Sequence, residues 1–352
     1  MKSRRHFFTN LFGISLTTLV PFSVFAATSK NPNILIENIK PKRLKKGDTI
    51  GLIAPGYAIK QEVLERAKNT LKEMGFIPFH TDRILDNYGY FSATDQERAD
   101  DVNEMFSNPS IDAILCARGG YGCTRIMHLI DYENIKKNPK ALIGFSDITA
   151  LANGIHKETG LITFHGPVGS TLNDEYTIEQ LEKVVVHPKK KVLIENVKLE
   201  DEELLNDPEF ERYTVTQGKA TGKLVGGSLT LINALIGTPH EIDFTDKIVF
   251  IEDVEESPYR IDRMLTQLIE GATFKKAAGM MIGVCKGCDK PPKPESFTLK
   301  EVILDRLEPL KIPTAYGMSF GHVANNFTIP IGIEATFDAD KMTLELLEKA
   351  VS

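Results

Sequence analysis

Five short segments carry residue types suited to acyl-transfer chemistry. In Gly144-Phe145-Ser146-Asp147-Ile148-Thr149 a serine stands where an apolar run gives way to a helical pattern. A strand-to-helix turn of this kind projects a hydroxyl from a sharp bend, and the helix N-terminus favours the negative charge that develops on attack. The plainer alternative is helix capping, which also places Ser or Asp before a helix. Ile148 stands where the second glycine of G-x-S-x-G belongs, which argues against an α/β-hydrolase. A serine nucleophile needs a base, usually a histidine backed by a carboxylate. His322 closes Gly317-Met318-Ser319-Phe320-Gly321-His322 at one strand end, and its chief rival, His165, lies in Phe164-His165-Gly166-Pro167 at another. Phe250-Ile251-Glu252-Asp253 places Glu252 just past an apolar strand. In Ala117-Arg118-Gly119-Gly120-Tyr121-Gly122 three glycines form either a tight turn or bare backbone N–H groups able to hold an oxyanion. Its spacing does not match a dinucleotide-binding turn. All five segments lie at expected strand ends, where open α/β sheets collect ligands.

The elements that must position these residues follow from periodicity. Thr49–Ala54 is a short apolar run closed by Pro55-Gly56, and Leu64, Ala67, Leu71 and Met74 mark one face of a helix ended by Gly75. Thr94-Asp95-Gln96-Glu97 predicts a capping box opening a helix through Phe106. Strands over Phe76–His80, Ala113–Ala117, Ala141–Phe145 and Ile162–Phe164 alternate with helices over Thr124–Leu129 and Ile148–Lys157. This alternation implies a doubly wound α/β domain with a parallel, flavodoxin-like sheet over residues 45–170. Residues 171–220 include a charged, irregular stretch and are expected to be a linker or surface excursion. Residues 221–346 are expected to form a smaller, β-rich mixed α/β domain holding Glu252 and His322. The candidate site would then form between the two domains.

Bulk properties narrow the function. Of 352 residues, 42% are hydrophobic and 26% charged, the balance of a soluble enzyme with a real core. The net charge of −6 offers no basic field for nucleic acid. Ser3-Arg4-Arg5-His6-Phe7-Phe8, an uncharged stretch from Leu11 to Ala27 and Val24-Phe25-Ala26 read as a secretory signal over residues 1–27, of twin-arginine type. An exported, periplasmic enzyme without stable membrane insertion is expected. An uncleaved anchor is the alternative, and Gly13 and Pro21 weaken it. Cys285 and Cys288 form a single C-x-x-C without further zinc-spaced ligands, so no metal site is expected, and a disulfide or two core thiols both fit.

The order ARGGYG, GFSDIT, FIEDVEESPYRIDRMLTQL and GMSFGH resembles the serine LD-carboxypeptidases, over roughly residues 49–340. The resemblance implies Ser146 as nucleophile, His322 as base and Glu252 as the acid orienting it. The N–H of Asp147, with that of Gly119 or Gly120, would form the oxyanion hole. It further implies removal of D-alanine from murein tetrapeptides without a cofactor, by a homodimer. Arg118 and Arg260 lie beside the proposed strand ends as candidate partners for substrate carboxylates, or as members of structural ion pairs. The same family contains microcin-immunity-type hydrolases of peptide–nucleotide conjugates, whose nucleotide base would call for an aromatic partner, and this chain has no Trp. A non-catalytic peptidoglycan-binding protein is a further alternative, which would require a replaced triad position.

Overall fold

The computed structural model describes residues 37–290 and 295–352; the leader pattern at residues 1–27 lies outside them. The first strands are Thr49–Ile53 (β1), Ile77–Phe79 (β2), Ala113–Cys116 (β3), Ala141–Gly144 (β4) and Thr163–His165 (β5). They form parallel neighbours in the order β5-β4-β3-β1-β2. This is a doubly wound order, whose direction of winding reverses between β1 and β3. Strands β3, β4 and β5 are buried throughout, because helices cover the sheet, and such strands read as continuous apolar runs.

The helices obey their local signals. Gln61–Glu73 buries Leu64, Ala67 and Leu71. Both hydrogen bonds of the Thr94–Glu97 capping box open Asp95–Ser107. The helix Ile148–Thr159 ends where Gly160 turns left-handed at φ 79°.

The remaining strands are Val192–Ile194 (β6), Tyr213–Thr216 (β7), Lys219–Ser228 (β8), Lys247–Glu252 (β9), Gly279–Gly283 (β10), Thr314–Met318 (β11), Ile329–Ile331 (β12), Glu334–Asp338 (β13) and Thr343–Leu346 (β14). All but β12 join an eight-stranded mixed sheet in the order β6-β14-β13-β8-β9-β10-β11-β7. Strand β12 instead pairs antiparallel with β5, Ile329 opposite His165, so a late segment closes the edge of the first sheet.

The stretch 171–220 is more ordered than its charge suggests. It holds the helix Glu175–Val185, which buries Leu181, Val184 and Val185, and strands β6 and β7 of the second sheet. Three- and four-residue strands are too short to show a period against a charged background. No helix among the described residues is long and apolar enough to cross a membrane.

The helix following Ser146 fastens the two sheets together. The Thr149 hydroxyl accepts from the Ser228 N–H at 3.0 Å, and Asn153 Nδ2 donates to the Gly226 carbonyl at 2.8 Å. Ser228 is the register partner of Glu252 on the neighbouring strand β9. The connection from Ser146 to Glu252 therefore runs through one turn of helix and one pair of strands.

Candidate active site

From Gly144 the chain turns through Phe145, Ser146 and Asp147 into the helix. Ser146 has φ 64°, in the left-handed region that costs an L-residue roughly 1–2 kcal/mol. Such strain concentrates where a side chain must be aimed. It also separates Ser146 from a capping serine, which is extended and bonds the first helical turn. The residue at the cap is Asp147, without a side-chain cap bond, whereas Ser146 Oγ lies 3.1 Å from Nε2 of His322.

His322 stands in the loop after β11, with Nδ1 2.7 Å from Oε2 of Glu252 at the end of β9. Glu252 is 0% exposed. Gly321, at φ 108°, makes this approach possible, since a Cβ there would lie 2.8 Å from Glu252 Oε2. Burial opposes charge on both partners, but their mutual attraction and hydrogen bond prevail. The pKa of His322 is raised and that of Glu252 lowered. A proton on Nδ1, donated to Glu252, leaves Nε2 to accept the Ser146 hydroxyl. Phe145 meets the imidazole edge-to-face at 4.9 Å between ring centroids, fixing its plane.

The glycine turn follows β3, the neighbour of β4. A Cβ on Gly119 would lie 2.8 Å from Ser146 Cβ, 3.0 Å from its Oγ and 3.3 Å from the Asp147 nitrogen. Gly119 thus passes directly against the serine, while Gly120 packs against the Tyr57 ring. Sequence reasoning used only the backbone of Asp147, but its buried carboxylate also works: Oδ2 accepts from the Cys123 N–H at 2.8 Å, tying the glycine turn to the serine turn. Burial raises the Asp147 pKa, against the hydrogen bonds from Cys123. A carboxylate at this position had no sequence signal beyond its place after Ser146.

His165 is 2% exposed and sits among Phe145, Phe250 and Phe320. Its Nε2 has no hydrogen-bond partner among the described residues, and burial lowers its pKa to about 4. The structure brings His322, not His165, to the serine. Arg118 is exposed over the Tyr57 ring at 5.6 Å. Arg260 is engaged elsewhere, with Glu256 at 3.3 Å and the Tyr259 hydroxyl at 3.2 Å.

A cleft of about 540 Å³ opens beside His322, lined also by Glu209, Val254, Glu255, Lys286 and Asp289. Sequence reasoning passed over Lys286, which lies between two cysteines. Those cysteines, Cys285 and Cys288, are buried free thiols, so the disulfide that the spacing permits is not formed. Among the described residues no three His, Cys, Asp or Glu side chains cluster as metal ligands.

Two family models match the chain: the LD-carboxypeptidase N-terminal domain at residues 50–166 and the LD-carboxypeptidase C-terminal domain at residues 221–337. A probable murein peptide carboxypeptidase of Bacillus subtilis is 38% identical over 318 residues, covering 90% of this chain and 96% of the relative. The murein tetrapeptide carboxypeptidase of Pseudomonas aeruginosa is 29% identical over 299 residues, covering 83% and 94%. The microcin C7 self-immunity protein MccF of Escherichia coli is 27% identical over 336 residues, covering 88% and 96%. A wild-type apo structure of the microcin C7 self-immunity protein MccF superposes with a TM-score of 0.79 at 25% identity, covering 89% of this chain and all of that one.

Proposed function

The chain belongs to the LD-carboxypeptidase family and is a serine carboxypeptidase, and from that premise we propose that it cleaves terminal D-alanine from murein tetrapeptides. The bond broken joins the L-centre of meso-diaminopimelate to the D-alanine nitrogen. One observation carries the reading: Ser146, His322 and Glu252 form a single hydrogen-bonded series, at 3.1 and 2.7 Å. Those distances are within reach of proton transfer.

In this scheme His322 takes the Ser146 proton as the serine oxygen bonds to the carbonyl carbon. Glu252 stabilises the imidazolium, and the N–H groups of Asp147 and Gly119 or Gly120 receive the oxyanion. His322 then gives the proton to the departing D-alanine nitrogen as the C–N bond breaks. Water, deprotonated by His322, attacks the ester, and His322 returns that proton to the Ser146 oxygen as the C–O bond breaks and the tripeptide leaves. The scheme needs no metal or organic cofactor.

A second reading, hydrolysis of a peptide–nucleotide conjugate, draws on the likeness to MccF. Mass spectrometry after incubation with purified tetrapeptide separates the two. The first reading expects a tripeptide and free D-alanine. An intact tetrapeptide beside a cleaved nucleotide conjugate would favour the second. Export through the twin-arginine pattern at Arg4-Arg5 is part of the proposal and would place the substrate in periplasmic murein turnover. Cell fractionation tests it, and light scattering tests the homodimer that the resemblance implies.

A further inference from the structure

We propose that Lys286 receives the terminal carboxylate of the leaving residue, and so restricts the enzyme to the last bond of a peptide. This rests on the acyl-transfer reading above. His322 can return its proton only to an amine that lies at Nε2, so the departing residue must occupy space beside that ring. Its carboxylate is bonded to the same carbon as the amine and enters the same space. The cleft of about 540 Å³ is lined by His322 and Lys286 together. Its volume lies in the ~300–1,000 Å³ range of small-molecule sites.

The lysine is available for this role and held in place for it. Its side chain is exposed, and among the described residues no carboxylate lies within ion-pair distance of it. Three of the four acids lining the cleft, Asp207, Glu209 and Asp289, already accept from backbone N–H groups, and Glu255 is the fourth. The two oxygens of Glu209 accept from the Gly287 and Asp289 N–H groups at 2.7 and 2.9 Å, and Asp289 accepts from the Leu299 N–H at 2.7 Å. Those bonds fix the loop that carries Lys286. The Lys286 carbonyl also accepts from the Glu255 N–H at 2.8 Å, anchoring the lysine to the segment that leaves β9 after Glu252. Arg212 and Lys286 both line an adjoining cavity of about 140 Å³. Arg212 is spoken for, donating to the Val197 carbonyl at 2.7 Å and the Ser319 hydroxyl at 3.3 Å. Lys286 also disfavours protonation of His322. A carboxylate that neutralises the lysine on binding therefore makes the base stronger when substrate is present.

The test compares a tetrapeptide ending in a free carboxylate with the same peptide ending in a carboxamide. Hydrogen bonds between charged groups suggest that the wild type prefers the acid by about 10- to 100-fold in kcat/KM. Lys286→Met should bring that ratio close to one, and Lys286→Arg should restore much of it. Lys290 lines the same cleft, and Lys290→Met should keep the wild-type ratio. The proposal is overturned if Lys286→Met retains the preference, if it lowers both rates equally, or if Lys290→Met is the variant that abolishes the preference. A wild type that cleaves neither peptide would instead strike the acyl-transfer reading on which the proposal rests.

Discussion

The Glu252 carboxylate has no exposed surface and accepts from Nδ1 of His322 at 2.7 Å, so the two groups set each other's charge. Burial pushes both toward neutrality, and their attraction overrides it, raising His322 above 6.5 and lowering Glu252 below 4.5. In the proposed scheme the working base is neutral His322, so kcat/KM should rise with pH along an acid limb centred above 6.5. Glu252→Gln removes that attraction, leaving burial and Lys286 to disfavour the charged imidazole against the weaker pull of Asp253. That limb should move to lower pH, while the plateau rate falls by about 10² to 10⁴. An unmoved limb would separate Glu252 from the base.

Ser146 holds φ 64° against the preference of an L-residue. Ser146→Ala and Ser146→Gly should both lose release of D-alanine, yet differ in stability. Glycine accepts the left-handed conformation freely, so the Gly variant should be the more stable by about 1 kcal/mol in urea denaturation. Equal midpoints would show that the turn stores no strain.

Gly119→Ala places a methyl group 2.8 Å from Ser146 Cβ and 3.0 Å from Oγ. Folding should survive, while the serine or the oxyanion donors are displaced. Loss of one such donor costs ~10²–10³ in kcat. A variant within tenfold of wild type, measured by D-alanine release, would remove this turn from the reaction.

His165→Ala should keep acylation chemistry within about tenfold of wild type and lose stability instead, because it opens a cavity among Phe145, Phe250 and Phe320. His322→Ala should show the reverse, a rate loss of ~10³ or more with a near-native melting temperature. Burst kinetics and thermal melts on both variants check the pair.

Much of the first sheet was legible because its central strands are buried on both faces and its helices carry explicit ends, such as Thr94 with Glu97 and the glycine at position 75. Ser146, Glu252 and His322 were legible as types at strand ends, and their order made the resemblance specific. What escaped depends on distant chain. Strand β12 has three residues and pairs with β5 more than 160 positions away, Ile329 with His165. Strands β6 and β7, of three and four residues, lie in a charged stretch. Lys286 draws its meaning from a cleft built by residues 207–209, 254–255, 286–287, 289–290 and 322, which no local pattern connects. The Asp147 bond to Cys123 likewise joins two turns that the sequence keeps 24 residues apart.

The central claim is that Ser146 carries the acyl group, and trapping that intermediate tests it most directly. Enzyme mixed with tetrapeptide, quenched in acid within the first turnover and digested, should yield one peptide bearing the tripeptide as an ester on Ser146. Free D-alanine should appear in equal amount, and neither product should form with Ser146→Ala. Turnover that proceeds with no adduct on Ser146, or that persists at a tenth of the wild-type rate in Ser146→Ala, would contradict the account.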